Sequence, residues 1–202
     1  MRRNVALDGI DRMLEEKDAD AYLQIDSSDD PDLYYLTGID IPDPATMLRT
    51  DGESTLLLNA LEYGRGKREA AVDRVEREAR YYQPGDDRYD MLASFLDDHG
   101  IDNLLVPGDF PTATAHKLEE RGYSIEPLED SPVREARSVK AEDEINAINE
   151  TQQHTENAMA VAEAMLEEAE EGSDGLLYHD GEILTAERLR GEIEASLVRD
   201  NC

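Results

Sequence analysis

The chain has 202 residues, and its 49 Asp and Glu face only 20 Lys and Arg, for a formal net charge of −29. That balance leaves no basic patch to release counterions from phosphates, which argues against nucleic acid and anionic membrane as partners. Hydrophobic residues make up 39% and aromatics 5%, which is lean for a globular chain, but they fall in periodic blocks, which argues against disorder.

The bases are mostly arginine, with Lys17, Lys67, Lys117 and Lys140 the only lysines. The acids are spread along the whole chain. This distribution resembles that of proteins from salt-in halophiles, where salt screens repulsion between surface carboxylates. Cys202 is the single cysteine, so no disulfide can form within the chain. The start, Met1 to Asp8, is basic, but Asp8, Asp11 and Arg12 interrupt any apolar run, so it is not read as a signal peptide. No segment approaches the ~18–20 apolar residues that span a bilayer. The expected location is the cytoplasm.

In chain order, residues 5–16 read as an amphipathic helix with Leu7, Ile10, Met13 and Leu14 on one side. Ala21 to Ile25 reads as a strand. An acidic loop, Asp26 to Asp32, leads to Leu33-Tyr-Tyr-Leu36 and the turn signal Thr37-Gly38. Thr46–Thr50 and Ser54–Leu58 flank Asp51-Gly52, the strongest hairpin signal in the chain. Residues 61–76 look helical, and Arg80–Tyr82 reads as a strand closed by Pro84-Gly85. Asp87–His99 reads as a helix with Tyr89, Leu92, Phe95 and Leu96 inward and Gly100 as its cap. Leu104–Val106 is a strand, Pro111–Arg121 a helix, and Tyr123–Leu128 another strand.

This alternation with one hairpin predicts an α/β fold, a mixed sheet flanked by helices. Ser131-Pro132 is the expected domain boundary, giving domains 1–131 and 132–202. From Ala141, the residues Ile145, Ile148, Gln152, Thr155, Met159, Ala162, Leu166 and Ala169 recur in steps of three and four. They predict one helix of about eight turns, with Glu142, Asp143 and Glu144 at its positive end. Thr185 caps a second helix carrying Leu189, Ile193 and Leu197. These two helices are read as having no sheet of their own and as needing partners.

No residue is assigned a catalytic, cofactor-binding or metal-binding role. Asp26 to Asp32 fails as a calcium loop, because Pro31 stands where glycine is needed and Thr37 where a glutamate must close the site. Gly64-Arg-Gly-Lys-Arg68 fails as a phosphate loop, since Arg68 replaces the magnesium-holding hydroxyl. His99, His116, His154 and His179 are far apart and unaccompanied by cysteine pairs.

Five segments nonetheless carry a resemblance: Asp32-Leu-Tyr-Tyr-Leu-Thr-Gly38, Leu56-Leu-Leu-Asn-Ala-Leu-Glu62 with Tyr63, Val106-Pro-Gly-Asp-Phe-Pro111, Arg137-Ser-Val-Lys-Ala-Glu-Asp-Glu144 with Ile145, and Gly181-Glu-Ile-Leu-Thr-Ala-Glu187. In this order they resemble the creatinase/prolidase family of metallopeptidases. The resemblance implies a creatinase-type N-terminal domain with a ribonuclease-H-like mixed sheet, followed by the first helices of an incomplete pita-bread catalytic domain. It implies a longer parent that hydrolyses proline-containing peptides as an Xaa-Pro dipeptidase or aminopeptidase. Such a parent would use two divalent ions (manganese, cobalt or zinc) held by two Asp, one His and two Glu. Those ligands would fall beyond Cys202, so this chain alone is expected to be inactive. The family's N-terminal domain packs in a dimer, and the loop Gly38 to Pro44 is the candidate to reach a partner's active site. Two other readings stand beside this one: a stand-alone module dimerising through the 141–171 helix, and a creatinase-like amidinohydrolase, since fold does not settle chemistry.

Overall fold

A computed structural model of the chain describes residues 3–50 and 52–199. Asp51, Cys202 and the Met1-Arg2 start lie outside them. The chain divides into two compact units, Met1–Lys140 and Ala141–Cys202.

The first unit opens with helix α1, Arg3–Lys17, whose Ala6, Leu7, Ile10 and Leu14 are buried at helical spacing. Strand β1, Ala21–Asp26, is buried over its first five residues, the mark of a central strand covered on both faces. The acidic loop after it serves a structural end. Asp30 caps helix α2, Pro31–Thr37, by accepting hydrogen bonds from the backbone N–H groups of Asp32 and Leu33, each at 2.8 Å. Gly38 closes α2 at φ 66°, a conformation that glycine adopts without strain.

Strands β2, Ala45–Thr50, and β3, Glu53–Leu58, form the expected antiparallel hairpin. Helix α3 covers only Tyr63–Glu69, where the sequence suggested a helix to residue 76. Beyond it, strand β4, Arg74–Arg77, pairs in parallel with β3. Gly66 lets α3 lie on that pair, since a Cβ there would come within 2.3 Å of Leu58 Cδ1. The strand expected at Arg80–Tyr82 is therefore a correction: it lies upstream, at β4. Residues Glu78–Arg80 form a 3-10 turn instead, and Tyr81 is buried edge-on against Phe95, with ring centroids 5.2 Å apart.

Helix α4, Arg88–Asp98, starts at a reciprocal capping box between Asp87 and Asp90. Strand β5, Asn103–Pro107, helix α5, Thr112–Glu119, strand β6, Ser124–Leu128, and helix α6, Pro132–Ser138, complete the unit.

The six strands run in the order β4-β3-β2-β1-β5-β6. The β1–β2 and β2–β3 pairs are antiparallel and the β1–β5, β3–β4 and β5–β6 pairs parallel, so the sheet is mixed. Alternate residues feed two cores. Tyr22, Met47, Leu56, Leu58 and Leu105 pack with α1, α2 and α6. Leu23, Leu48, Leu57, Leu104 and Val106 pack with α4 and α5. Asp20 fixes β5 beside β1: its carboxylate accepts the backbone N–H groups of Asn103 at 2.8 Å and Asp102 at 2.9 Å, which hold it below the usual carboxylate range.

Ser131-Pro132, the boundary suggested by sequence, opens α6 rather than a linker. Ser131 caps α6, Pro132 fits its first turn, and Val133 and Ala136 join the α1-side core. The compact units divide after Lys140.

In the second unit, helix α7, Glu142–Glu167, and helix α8, Ala186–Arg199, pack together. Thr185 Oγ1 accepts the backbone N–H of Arg188 at 3.2 Å, as its capping role requires. Strands β7, Glu170–Glu171, β8, Leu177–His179, and β9, Glu182–Ile183, form a three-stranded antiparallel sheet between them in sequence. This corrects the reading of two helices without a sheet. The buried residues of α7 are Ala158, Ala162 and Met165. The stripe expected inside is only partly so, with Ile145 46%, Ile148 53%, Met159 57% and Leu166 49% exposed. Among the described residues, no helix is long and apolar enough to cross a membrane.

Candidate functional site

The Gly38 to Pro44 loop is anchored rather than free. Ile39 and Ile41 are buried in the α1-side core. Ser28 N donates to Ile41 O at 2.8 Å, and Ser28 Oγ donates to Asp40 Oδ1 at 2.5 Å. Asn59, just past β3, has two tasks. Its side-chain oxygen accepts the backbone N–H groups of Leu61 and Glu62, and its Nδ2 donates to Asp43 Oδ2 at 3.0 Å.

Beside this loop lies a cleft of about 300 Å³. Its floor is Ile25, Met91 and Leu92, all buried. Its polar lining includes Asp43, Thr46, Asn59, Glu78 and Arg88. Glu78 is half-buried, and burial pushes its carboxyl above the usual range. Arg88 opposes that rise and Asp43 adds to it.

A second constellation ties two of the resembling segments together. Asp32 at the start of α2 and Arg137 near the end of α6 form an ion pair, with side chains 10% and 29% exposed. Ser131 Oγ donates to the other Asp32 oxygen at 3.3 Å. Asp32→Ala is expected to cost about 2 kcal/mol, below the ~3–5 kcal/mol of a fully buried pair because Arg137 keeps some water. A urea titration checks the size. The double substitution with Arg137→Ala should recover part of it, and strict additivity would show that the two side chains do not interact.

The sequence reading assigned no site residue, so Asp32, Arg137, Glu78 and Arg88 are findings of the structure. Three of the four histidines make contacts that serve separate ends. His99 Nδ1 lies 2.8 Å from Phe95 O, His116 is 3.3 Å from Glu120, and His179 is 3.3 Å from Glu168. Among the described residues, no three His, Cys, Asp or Glu side chains gather as a metal-binding group.

The mixed sheet and its two helical layers define a class. The Creatinase/Prolidase N-terminal domain family matches residues 7–139, and the chain belongs to it. The structure is similar to a prolidase from Pyrococcus horikoshii OT3 (21% identity, TM-score 0.70), with 96% of this chain and 48% of that one covered. It is similar to an Xaa-Pro dipeptidase from Bacillus anthracis (14%, TM-score 0.70, 98% and 49% covered). It is also similar to an X-Pro aminopeptidase from Thermotoga maritima MSB8 (16%, TM-score 0.65, 91% and 47% covered). At such identities the likeness speaks for the fold. The chain spans about half the length of these solved structures. No curated protein matches it.

Proposed function

We propose that this chain is the N-terminal portion of a metal-dependent Xaa-Pro dipeptidase or aminopeptidase, and that it carries no catalysis by itself. The observation behind this is the family match over residues 7–139, together with a fold likeness that takes in nearly all of this chain and about half of a prolidase and of an Xaa-Pro dipeptidase.

In this reading two divalent ions would activate a water and polarise the peptide carbonyl. The residues present do not fit such a pair, since no group of three ligands converges among those described. The proposal places the chemistry outside this chain, and no step is routed through its residues. This portion instead shapes the cleft and supports a homodimer, with the Gly38 to Pro44 loop facing substrate or partner. The net charge of −29 suits a salt-rich cytoplasm.

Purified chain supplied with manganese, cobalt or zinc should leave an Xaa-Pro dipeptide intact. Metal-dependent hydrolysis would overturn the assignment of catalysis elsewhere. The intact mass in the source cells should exceed 22.7 kDa. A mass equal to it favours the second reading, an interaction module dimerising through α7, whose exposed Ile145, Ile148, Met159 and Leu166 are the observation in its favour.

A further inference from the structure

We propose that the cleft between Glu78 and Arg88 binds a free aliphatic α-amino acid as a zwitterion, with Arg88 on its carboxylate, Glu78 on its ammonium group and its side chain on Ile25, Met91 and Leu92.

The first ground is an ion pair that is not made. Glu78 and Arg88 line the same cleft and sense each other's charge, yet no ion pair joins them among the described residues. Neither side chain has another hydrogen-bonded partner there, and Arg88 lies over the Tyr89 ring at 5.8 Å. Arg88 shares the lack of a carboxylate contact with Arg12, Arg68, Arg77, Arg134 and Arg199, but its cleft also holds Glu78, a half-buried carboxylate with no hydrogen-bonded partner among the described residues. A half-buried carboxylate held without a partner costs free energy that a ligand cation would recover.

The second ground is shape and lining. The volume of about 300 Å³ sits at the lower end for small-molecule sites. Ile25, Met91 and Leu92 are apolar and buried, and Asp43, Glu78 and Arg88 line the same cleft. Thr46 is buried and lines the cleft, and its hydroxyl makes no hydrogen bond to protein among the described residues. It can receive a polar atom of the ligand.

The third ground is charge. A simple anion meets Asp43, Glu78 and a molecule at −29. A metal ion finds no set of three ligands. A zwitterion carries no net charge, so the overall field does not repel it, while each of its ends meets the opposite sign. The inference does not rest on the peptidase reading, because no metal or second domain enters it.

The test is calorimetric titration of the whole chain, in salt that keeps it folded, with L-leucine, 4-methylpentanoate and 3-methylbutylamine. The last two each lack one of the charged groups. L-leucine should bind saturably, and each analogue should bind at least about tenfold more weakly, a loss of about 1.4 kcal/mol. Arg88→Gln and Glu78→Gln should each weaken L-leucine by about the same factor, with amide NMR spectra showing the fold retained. Absence of saturable heat with L-leucine overturns the proposal. So does equal binding of either analogue, a result read on the unaltered chain and independent of how the variants fold.

Discussion

Phe95→Ala is expected to destabilise the first unit by about 3–5 kcal/mol, the range for deleting a fully buried phenylalanine. Phe95 has no solvent exposure and lies in the core between α4, α5 and the sheet. Tyr81 meets its ring edge-on at an interplanar angle of 77°, and His99 lies with its ring centroid 4.6 Å away. Two other rings of this core, Tyr81 and Tyr123, are tethered by hydrogen bonds from their hydroxyls to Glu76 and Asp97, which limits their movement into the void. The surroundings, Leu23, Leu57 and Leu96, are fixed by strand pairing and by the capped helix α4. A cavity there would close only in part. Phe95→Leu, which keeps most of the volume, should cost about 1.5 kcal/mol or less. Urea midpoints at constant slope measure both, and equal midpoints for Phe95→Ala and the parent chain would mean that α4 does not pack as described.

Raising potassium chloride from about 0.1 M to about 2 M should increase the thermal midpoint by well over the ~2–4 °C that 1 kcal/mol produces in a chain of this size. If every base were paired, 29 acids would still lack a cation. The pairs that do form are largely at the surface: Lys17 with Glu126 at 2.5 Å, Arg65 with Glu69 at 2.8 Å, and Arg80 with Asp98 at 2.8 Å. Each is worth about 0–1 kcal/mol and is itself weakened by salt. The screening length falls from about 10 Å at 0.1 M to about 3 Å at 1 M, which removes repulsion among the excess carboxylates. The excess outnumbers the pairs, so stability rises. Arg49, buried and held by Asp11 at 2.6 Å, loses little in the exchange. Chloride rather than sulfate separates screening from preferential exclusion. A flat midpoint across this range would remove the salt-adapted reading.

The first unit was legible wherever one local rule decided the outcome. The Asp51-Gly52 hairpin, Gly100 after α4 and the strand Leu104–Val106 follow from turn chemistry and from alternating apolar runs. The failures lie where tertiary pairing overrode local pattern. Arg74–Arg77 has almost no apolar alternation and is a strand because β3 offers it an edge. Arg80–Tyr82 has the better strand composition, but Tyr81 is drawn onto Phe95. In the second unit, Asp180-Gly181 is the same signal as Asp51-Gly52, and both residues take positive φ, 54° and 77°, between β8 and β9. The small sheet could have been read from it. The cleft could not have been read, because Asp43, Asn59, Glu78 and Arg88 have no spacing in common and only the sheet brings them together. Asp32 and Arg137 were noticed in separate segments, and nothing in either segment says that they touch.

The placement of β1 has a consequence for how the chain is made. Its neighbour β2 follows after the short helix α2 and a loop, but β5, which covers its other edge from Ala21 and Tyr22, is synthesised roughly 80 residues later, about 4–16 s at ribosomal speeds. For that interval the nascent chain can hold a half-sheet whose open edge is one of its most apolar strands, a template for wrong pairing. The carboxylate of Asp20, waiting for two backbone N–H groups from the strand still to come, gives that late arrival a single register to fall into.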